Sequence, residues 1–273
     1  MSATTAVTPY VAIGDSFSSG EGVPPFDRST TIAGRDTCHR SSRAWPLLLA
    51  GRSGGDTYSL ACSGATVAEV IDGDDRRAER DRRPSQVMRL ARIAGVRLVT
   101  VTIGGNDVGF ARVLRRCATH LRCDRYYAAR GHDRLRTRIE ALAARLPALY
   151  TSLQRAAPSA RVVVVGYPRL FPLRPSRFTC AALSSIGPEE VRYLNARTAD
   201  LDAAIRGAAR TAGAGYVDAL DAFAGHAIGC AGAQWVSHLR LAHPEYSFHP
   251  NTAGQRRLAE VVERWLRRTP SEG

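Results

Sequence analysis

The sequence predicts an α/β fold built on a parallel sheet. Five short apolar runs, rich in β-branched residues, are separated by segments with helical periodicity. Residues 162–165 are consecutive valines, and strands that are buried on both faces of a sheet are continuously apolar in this way. Strands that alternate with helices are typical of parallel sheets. Because 273 residues lie near the upper limit for one hydrophobic core, we expect a single domain over residues 1–273.

Each predicted element follows from its local pattern. Strands are predicted over residues 10–13, 57–60, 98–103, 162–165 and 216–218. Helices are predicted over residues 84–94, 133–157 with an interruption at Pro147, 188–211 and 252–267. In the last helix Leu258, Val262 and Trp265 recur at helical spacing with arginines on the other side, so it should pack on the sheet. Loops are predicted where periodicity is weak, over residues 20–43, 110–132, 170–187 and 223–247.

The charge balance is strongly basic, with 38 cationic side chains against 25 acidic ones and a net charge of +13. All the cations are arginines. Such a balance suits nucleic acid or an anionic membrane surface as a partner. However, the sequence has no zinc-finger spacing, no aromatic RNP pattern and no heptads behind a basic region, so we predict no nucleic-acid partner. An anionic lipid interface stays open as a prediction.

The cysteines indicate an oxidising compartment. Their number is even, there is no C-x-x-C pair, and they stand at Cys38, Cys62, Cys117, Cys123, Cys180 and Cys230. This pattern favours three disulfides over a zinc or thioredoxin site, but it leaves 15 pairings open. The sequence contains no run of about 18 apolar residues, so no transmembrane segment is predicted. Residues 1–5 lack the basic and apolar regions of a signal peptide, so we expect a secreted protein whose signal peptide is outside this sequence.

Three polar side chains stand at positions that favour chemistry. Ser16 follows the first predicted strand within Gly-Asp-Ser-Phe-Ser-Ser-Gly, and Asn106 follows the third within Gly-Gly-Asn-Asp. His249 lies just before the final helix. Ligands of open α/β sheets bind outside the carboxyl ends of the strands, where Ser16 and Asn106 should meet. The three residue types supply a nucleophile, an oxyanion donor and a base.

Together with Gly64 in the segment Ala-Cys-Ser-Gly-Ala-Thr, these residues closely resemble the four sequence blocks of the SGNH (GDSL) esterase and lipase family. The blocks cover nearly the whole chain in the family's order. The resemblance is closest to the secreted, disulfide-bearing actinobacterial branch. It implies a three-layer α/β/α fold of the flavodoxin-like kind with a five-stranded parallel sheet. It also implies the disulfides Cys38–Cys62, Cys117–Cys123 and Cys180–Cys230.

The resemblance further implies roles for these residues. Ser16 would attack the carbonyl of an ester and His249 would act as the base, without a cofactor or a metal. The backbone N–H groups of Ser16 and Gly64 and the amide of Asn106 would form the oxyanion hole. The predicted enzyme is a secreted serine esterase or lipase for small-molecule or lipid esters, and we expect a monomer. A phospholipase A or a glycan deacetylase of the same fold is the alternative, and a non-catalytic binding module is the alternative of another class.

One position departs from the family pattern. Most members carry an aspartate three residues before the histidine, and Tyr246 stands there in this chain. In the disulfide-bearing branch a backbone carbonyl orients the histidine instead. The carbonyl of Tyr246 or Ser247 is therefore our hypothesis for the partner of His249 Nδ1, and the Glu245 carboxylate is the competing candidate.

Several other residues imitate a site. Residues 51–55 match the G-x-S-x-G pattern of α/β-hydrolases, but no strand precedes them, and their glycines are predicted to end a helix. Asp15 and Asp107 are expected to brace loops, and Asp218 and Asp221 have no expected catalytic role.

His226, His238 and His243 share one loop region but lack metal-ligand spacing, so no metal is expected. Phe110 and Trp235 are the aromatic side chains that we expect to line an acyl pocket.

Overall fold

A parallel five-stranded sheet forms the centre of the computed structural model, which describes residues 9–32, 35–36, 38–53, 55–74, 84–174, 186–228 and 233–269. Its strands are β1 (Tyr10–Gly14), β4 (Thr57–Ser59), β5 (Leu98–Thr102), β8 (Arg161–Val165) and β9 (Gly215–Val217), and they lie in the order β4-β1-β5-β8-β9. Two small antiparallel pairs lie outside it, β2 (Thr31–Ile32) with β3 (Arg35–Asp36) and β6 (Ala128–Ala129) with β7 (His132–Asp133). The predicted sheet is confirmed, with strand limits that differ by one residue or less.

The three central strands are aligned at both ends. Tyr10 pairs with Leu98, and Leu98 pairs with Arg161, so β1, β5 and β8 begin side by side. At the other end Gly14 pairs with Thr102. All five residues of β1 and of β5 are buried, which explains why both strands are predominantly apolar. The register therefore places the segments that follow these strands next to each other.

The helices of the described residues alternate along the chain with the strands of the sheet or follow one another directly. They are α1 (Ser16–Ser19), α2 (Trp45–Ser53), α3 (Val67–Asp72), α4 (Gln86–Leu90), α5 (Phe110–Thr119), α6 (Cys123–Tyr127), α7 (Arg134–Ala143), α8 (Leu146–Ala156), α9 (Pro188–Thr211) and α10 (Thr252–Arg268). Short 3-10 turns lie at Arg28–Thr30 and Pro244–Tyr246. Pro147 stands in the first turn of α8, where proline is tolerated, so the predicted interruption falls just before it.

The prediction of a loop over residues 110–132 is wrong, because α5 and α6 lie there. Val113, Leu114 and Cys117 bury one face of α5, while its arginines face outward or along its sides. So many arginines in a short helix conceal its apolar stripe from a reading of the sequence. The helix predicted over residues 84–94 is shorter than expected, and the G-x-S-x-G segment begins inside α2, as a helix end rather than a nucleophile elbow.

The helices form two packing groups. Helix α10 packs on α2, and α2 contacts β4. Helices α3, α4, α7, α8 and α9 contact one another in a second group. Two groups of this kind are what a sheet covered on both faces requires, and they complete the predicted three-layer α/β/α arrangement. The start of α10 is held to α2 by Gln255, whose side-chain oxygen accepts the backbone N–H of Trp45 at 2.9 Å.

A buried hydrogen-bonded node joins the carboxyl ends of β1, β5 and β8. The Tyr167 hydroxyl donates to Asp15 and accepts the backbone N–H of Gly105 at 3.0 Å. Asp15 also caps α1 by accepting the N–H of Phe17 at 3.0 Å. Burial raises the pKa of Asp15 from 3.8 to about 7, against the opposing effect of these hydrogen bonds. The node fixes the segments that follow three neighbouring strands.

Alanine at Gly254 should destabilise the protein. A Cβ there would lie 2.2 Å from the Trp235 carbonyl oxygen, so the start of α10 would have to move away from its neighbour. We expect Gly254→Ala to lower the free energy of unfolding by about 1 to 3 kcal/mol. Gly207, within α9, is the matched control, because a Cβ there meets no atom within 4 Å. Gly207→Ala should raise stability by about 0.5 to 1 kcal/mol. Urea unfolding compares the two, and equal effects would contradict the prediction.

Asparagine at Asp15 should flatten the dependence of stability on pH. The pKa of Asp15 is raised to about 7 in the folded state, so the folded protein binds this proton more tightly than the unfolded chain does. Its contribution is complete below about pH 4 and is lost as the pH rises through about 7. Between about pH 5 and about pH 8 the free energy of unfolding of the wild type should fall by about 2 to 3 kcal/mol more than that of Asp15→Asn. Parallel urea-unfolding profiles in the two proteins would show the prediction to be wrong.

Candidate active site

Ser16 lies in a tight turn at the carboxyl end of β1. Gly14 makes this turn possible, since its φ is 132° and a Cβ would lie 2.2 Å from the Thr102 carbonyl oxygen. Asp15 then caps α1, and Ser16 is the first residue of that helix. The Ser16 side chain faces a cavity and is largely buried, with 7% of the residue exposed.

His249 reaches Ser16 from the opposite end of the chain. Its Nε2 lies 2.8 Å from Ser16 Oγ, across 233 positions of sequence. The backbone on both sides of His249 is held by two hydrogen bonds to Ser237, at 2.9 and 3.0 Å. Asn251 caps α10 by accepting the N–H groups of Ala253 and Gly254. The ring is therefore fixed by the start of the last helix and by a neighbouring loop.

The electrostatics of His249 favour a neutral ring. Burial lowers the pKa of this imidazole below its ordinary value, which leaves Nε2 unprotonated near neutral pH. The negative charge of Glu21 and the nearby backbone groups of Ser247 and Glu245 oppose this effect. An unprotonated Nε2 within hydrogen-bond distance of a hydroxyl is able to accept its proton.

The opposite ring nitrogen, Nδ1, is buried and has no acceptor in full hydrogen-bond geometry among the described residues. The backbone groups of Ser247 and Glu245 act on the ring. The carboxylate of Glu245 lies 3.3 Å from His243 Nδ1 instead. The Glu245 carboxylate thus has a contact of its own.

Gly64 and Asn106 lie in the wall of the same cavity as Ser16. Gly64 has a φ of 79°, a conformation that favours glycine. Asn106 Nδ2 donates one hydrogen bond to the Ala65 carbonyl at 3.0 Å, which leaves its second N–H available to a ligand. Asp107 accepts the Val67 N–H at 3.0 Å and so ties the loop after β5 to the loop of Gly64. As predicted, Asp107 braces a loop, and Asp15 does the same.

The cavity has a volume of about 210 Å³, and much of its wall is apolar. The apolar part is formed by Phe17, Phe110, Ala111, Leu114, Tyr167, Pro168, Leu170, Leu201, Leu239 and Phe248. Phe110 lines it as predicted. Trp235 does not, because its ring stacks on that of His226 at 3.7 Å between ring centroids. The contribution of Leu114 was missed by the sequence analysis, since it depends on α5.

The two predicted disulfides within the described residues are present. Cys38 is bonded to Cys62, and Cys117 is bonded to Cys123. The first holds the loop before Gly64, where the Ser63 N–H also donates to the Cys38 carbonyl at 3.0 Å. Cys180 and Cys230 lie outside the described residues, so their pairing stays a prediction.

The remaining polar candidates have structural contacts. Asp218 pairs with Arg206 at 3.0 Å, and Asp221 pairs with Arg169. Over the described ranges no group of three or more histidine, cysteine or acidic residues is arranged to hold a metal ion. Within those same ranges no helix is both long and apolar enough to cross a membrane.

Comparison with known proteins places this geometry in a family. The model of the GDSL-like lipase/acylhydrolase family matches residues 12–257. A lipase from Streptomyces rimosus is 33% identical over 250 residues, which are 91% of this chain and 82% of the relative.

Two crystal structures resemble the whole fold. The extracellular lipase of Streptomyces rimosus has a TM-score of 0.77 at 32% identity, over 93% of this chain and 98% of the other. Phospholipase A1 of Streptomyces albidoflavus has a TM-score of 0.76 at 30% identity, with the same coverage. The chain therefore belongs to the GDSL-like lipase/acylhydrolase family and is a carboxylic ester hydrolase.

Proposed function

We propose that Ser16 is the nucleophile and His249 the general base of a serine esterase or lipase that hydrolyses carboxylic esters through an acyl-enzyme. The observation that carries this proposal is the 2.8 Å contact between Ser16 Oγ and His249 Nε2 in the wall of a largely apolar cavity. The apolar wall suits an acyl chain, and the hydroxyl lies where the ester carbonyl of a bound chain would enter.

The proposed reaction needs no group beyond substrate, water and these side chains. Ser16 Oγ bonds to the ester carbonyl carbon as its proton passes to His249 Nε2. The tetrahedral intermediate collapses, the bond to the alkoxy oxygen breaks, and Nε2 returns the proton to the leaving alcohol. Water then attacks the acyl-enzyme by the same route, releases the carboxylic acid and restores the Ser16 hydroxyl.

Three donors would stabilise the oxyanion. We assign the backbone N–H groups of Ser16 and Gly64 and the second N–H of Asn106 Nδ2 to this role. The hydrogen bond from Asn106 to the Ala65 carbonyl holds the amide in place, so little reorganisation is required when charge develops. We assign the orientation of His249 to the Ser247 carbonyl, whose effect on the ring opposes that of burial.

A lipid ester is the substrate class that we favour. Leu239 lines the cavity and, with Leu241, stands in the exposed segment after Ser237. Arg240 lies between the two leucines, and Arg115 lines the cavity from α5. We call these four residues the rim. Exposed leucines beside arginines suit the surface of an anionic membrane, and no described acidic group forms a salt bridge with either arginine.

Phospholipase A activity is the second candidate. The relative from Streptomyces albidoflavus carries that name, and Arg115 would supply a cation beside the cavity for a phosphodiester.

We also infer that the protein is secreted, as the relative from Streptomyces rimosus is extracellular, and that it acts as a monomeric single domain. Covalent labelling of Ser16 by a fluorophosphonate tests the nucleophile directly, and an unlabelled wild type would refute it.

Alanine at Asn106 should remove most turnover without unfolding the protein. Loss of one oxyanion donor lowers kcat by about 100- to 1000-fold. Gln154→Ala is a matched control, because Gln154 Nε2 makes a similar bond to the Ala212 carbonyl, at 2.9 Å, outside the cavity. Hydrolysis of a p-nitrophenyl ester and thermal unfolding should be measured on both. Near-normal kcat in Asn106→Ala would remove this residue from the mechanism.

Lipid hydrolysis should depend on salt and on the rim. We expect hydrolysis of anionic phosphatidylglycerol vesicles to fall as ionic strength rises, while cleavage of soluble p-nitrophenyl acetate stays constant. Arg240→Gln should weaken vesicle binding about fivefold. Arg210→Gln, an exposed position near the carboxyl end of α9, is the control and should change nothing. Equal responses of vesicle and soluble substrate to salt would contradict the lipid interface.

A panel of esters from acetyl to palmitoyl, run beside phosphatidylcholine, separates esterase, lipase and phospholipase.

A further inference from the structure

A buried carboxylate that the sequence analysis did not single out stands beside the active site. Glu21 lies five positions after Ser16, and the residue is 1% exposed. Its backbone N–H donates to the Ser16 carbonyl at 3.1 Å, which fixes it to the end of α1. A buried carboxylate needs polar partners, because leaving it without them would cost far more than a hydrogen bond gains.

One partner of Glu21 belongs to the oxyanion loop. The Ser63 hydroxyl donates to Glu21 Oε2, and Ser63 immediately precedes Gly64. The backbone of Ser63 is held in turn by the Cys38 carbonyl. The carboxylate thereby connects the segment of the nucleophile to the segment that carries a proposed oxyanion donor.

The second partner leads toward the catalytic histidine. His39 Nδ1 lies 2.8 and 2.9 Å from the two oxygens of Glu21. The edge of the His39 ring faces Tyr246, with the ring centroids 6.5 Å apart. Tyr246 stands three residues before His249, and it also covers Gly22, whose Cβ would lie 3.3 Å from that of Tyr246. Glu21 thus contacts the segments of Ser16 and Gly64 directly and reaches the segment of His249 through His39.

The charge of Glu21 also acts on His249, the proposed base. Burial lowers the pKa of His249, and the negative charge of Glu21 raises it. Asp15, Arg115 and Glu245 also line the cavity, but the charge that favours the protonated ring is that of Glu21. In the proposed mechanism the ring becomes a buried cation each time it takes the Ser16 proton, and a nearby anion lowers the energy of that state.

We propose that Glu21 is a positioning residue for ester hydrolysis, whose buried carboxylate supports the imidazolium form of His249 and braces the loop of Gly64. Glu21 neither receives nor gives a proton in this scheme, and the proton moves only between Ser16, His249 and the leaving group. The inference rests on the proposed function, because it presupposes His249 as the base.

Glutamine at Glu21 removes the charge at constant shape and tests the proposal. The acid limb of the profile of kcat/KM against pH reports the pKa of the base in the free enzyme. We expect this limb to move to lower pH by about 0.5 to 1 unit, the effect of removing one charge from a partly buried neighbourhood. The plateau kcat should fall about 10-fold. The substrate is p-nitrophenyl acetate, and thermal unfolding verifies the fold.

Two matched variants separate charge from bracing. Ser63→Ala keeps the carboxylate and removes the brace, so kcat should fall while the acid limb stays in place. His39→Asn keeps a donor at the position of Nδ1, and asparagine tolerates the φ of 46° found there, so this limb should also stay. Asp15 titrates in all of these proteins, and its contribution is common to every profile.

The outcomes distinguish the two proposals. A Glu21→Gln enzyme that is folded and whose acid limb coincides with that of the wild type would overturn the role of Glu21. It would leave the assignment of Ser16 and His249 intact if Ser16→Ala and His249→Ala are inactive. Conversely, turnover that survives in His249→Ala would overturn the proposed function, whatever Glu21→Gln does. A limb that moves in Glu21→Gln and also in Ser63→Ala would assign the shift to loop structure and would likewise overturn the electrostatic role.

Discussion

The side-by-side alignment of β1, β5 and β8 is the constraint on which the rest of the molecule depends. Because these strands share their register, the segments that follow them leave the sheet side by side at the carboxyl ends of the strands. The Tyr167 hydroxyl then joins Asp15 to the backbone of Gly105, so that these strand ends form a connected structure and not three separate loop starts. The positions of Ser16 and Asn106 are determined by the strand ends that precede them. The loop of Gly64 is held there in turn by the carboxylate of Asp107.

The acidic groups near this site mainly serve the structure. Three carboxylates near Ser16 and His249 have structural contacts: Asp15 caps a helix, Asp107 ties two loops and Glu245 faces His243. In the proposed mechanism His249 works without a carboxylate at Nδ1, in surroundings where burial favours its neutral form. A ring that is easily kept neutral is ready to accept a proton, but its cation is costly. The anion of Glu21 reduces that cost from beyond the first layer of contacts.

The sequence allowed the sheet and the meeting of Ser16, Asn106 and His249 at one cavity to be predicted, because both leave short-range signals. Strands buried on two faces are continuous apolar runs, and Ser16, Asn106 and His249 stand at strand or helix ends. Helix α5 was missed because arginines mask its apolar stripe. Trp235 was assigned to the cavity although His226, nine positions earlier, holds its ring elsewhere. Glu21 was missed because its partners come from residues 39 and 63, and such a meeting of loops is decided only by the folded chain.

The distance along the chain between Ser16 and His249 has a consequence for biosynthesis. The serine is made among the first residues, and its partner arrives 233 positions later, directly before the helix that docks on α2. In the proposed mechanism, a nascent chain on the ribosome, or one threaded unfolded through a translocation channel, holds the Ser16 hydroxyl without its base. Hydrolytic activity thus appears only when α10 has packed on α2. A cell that exports this enzyme unfolded would be spared hydrolysis of its own esters before export.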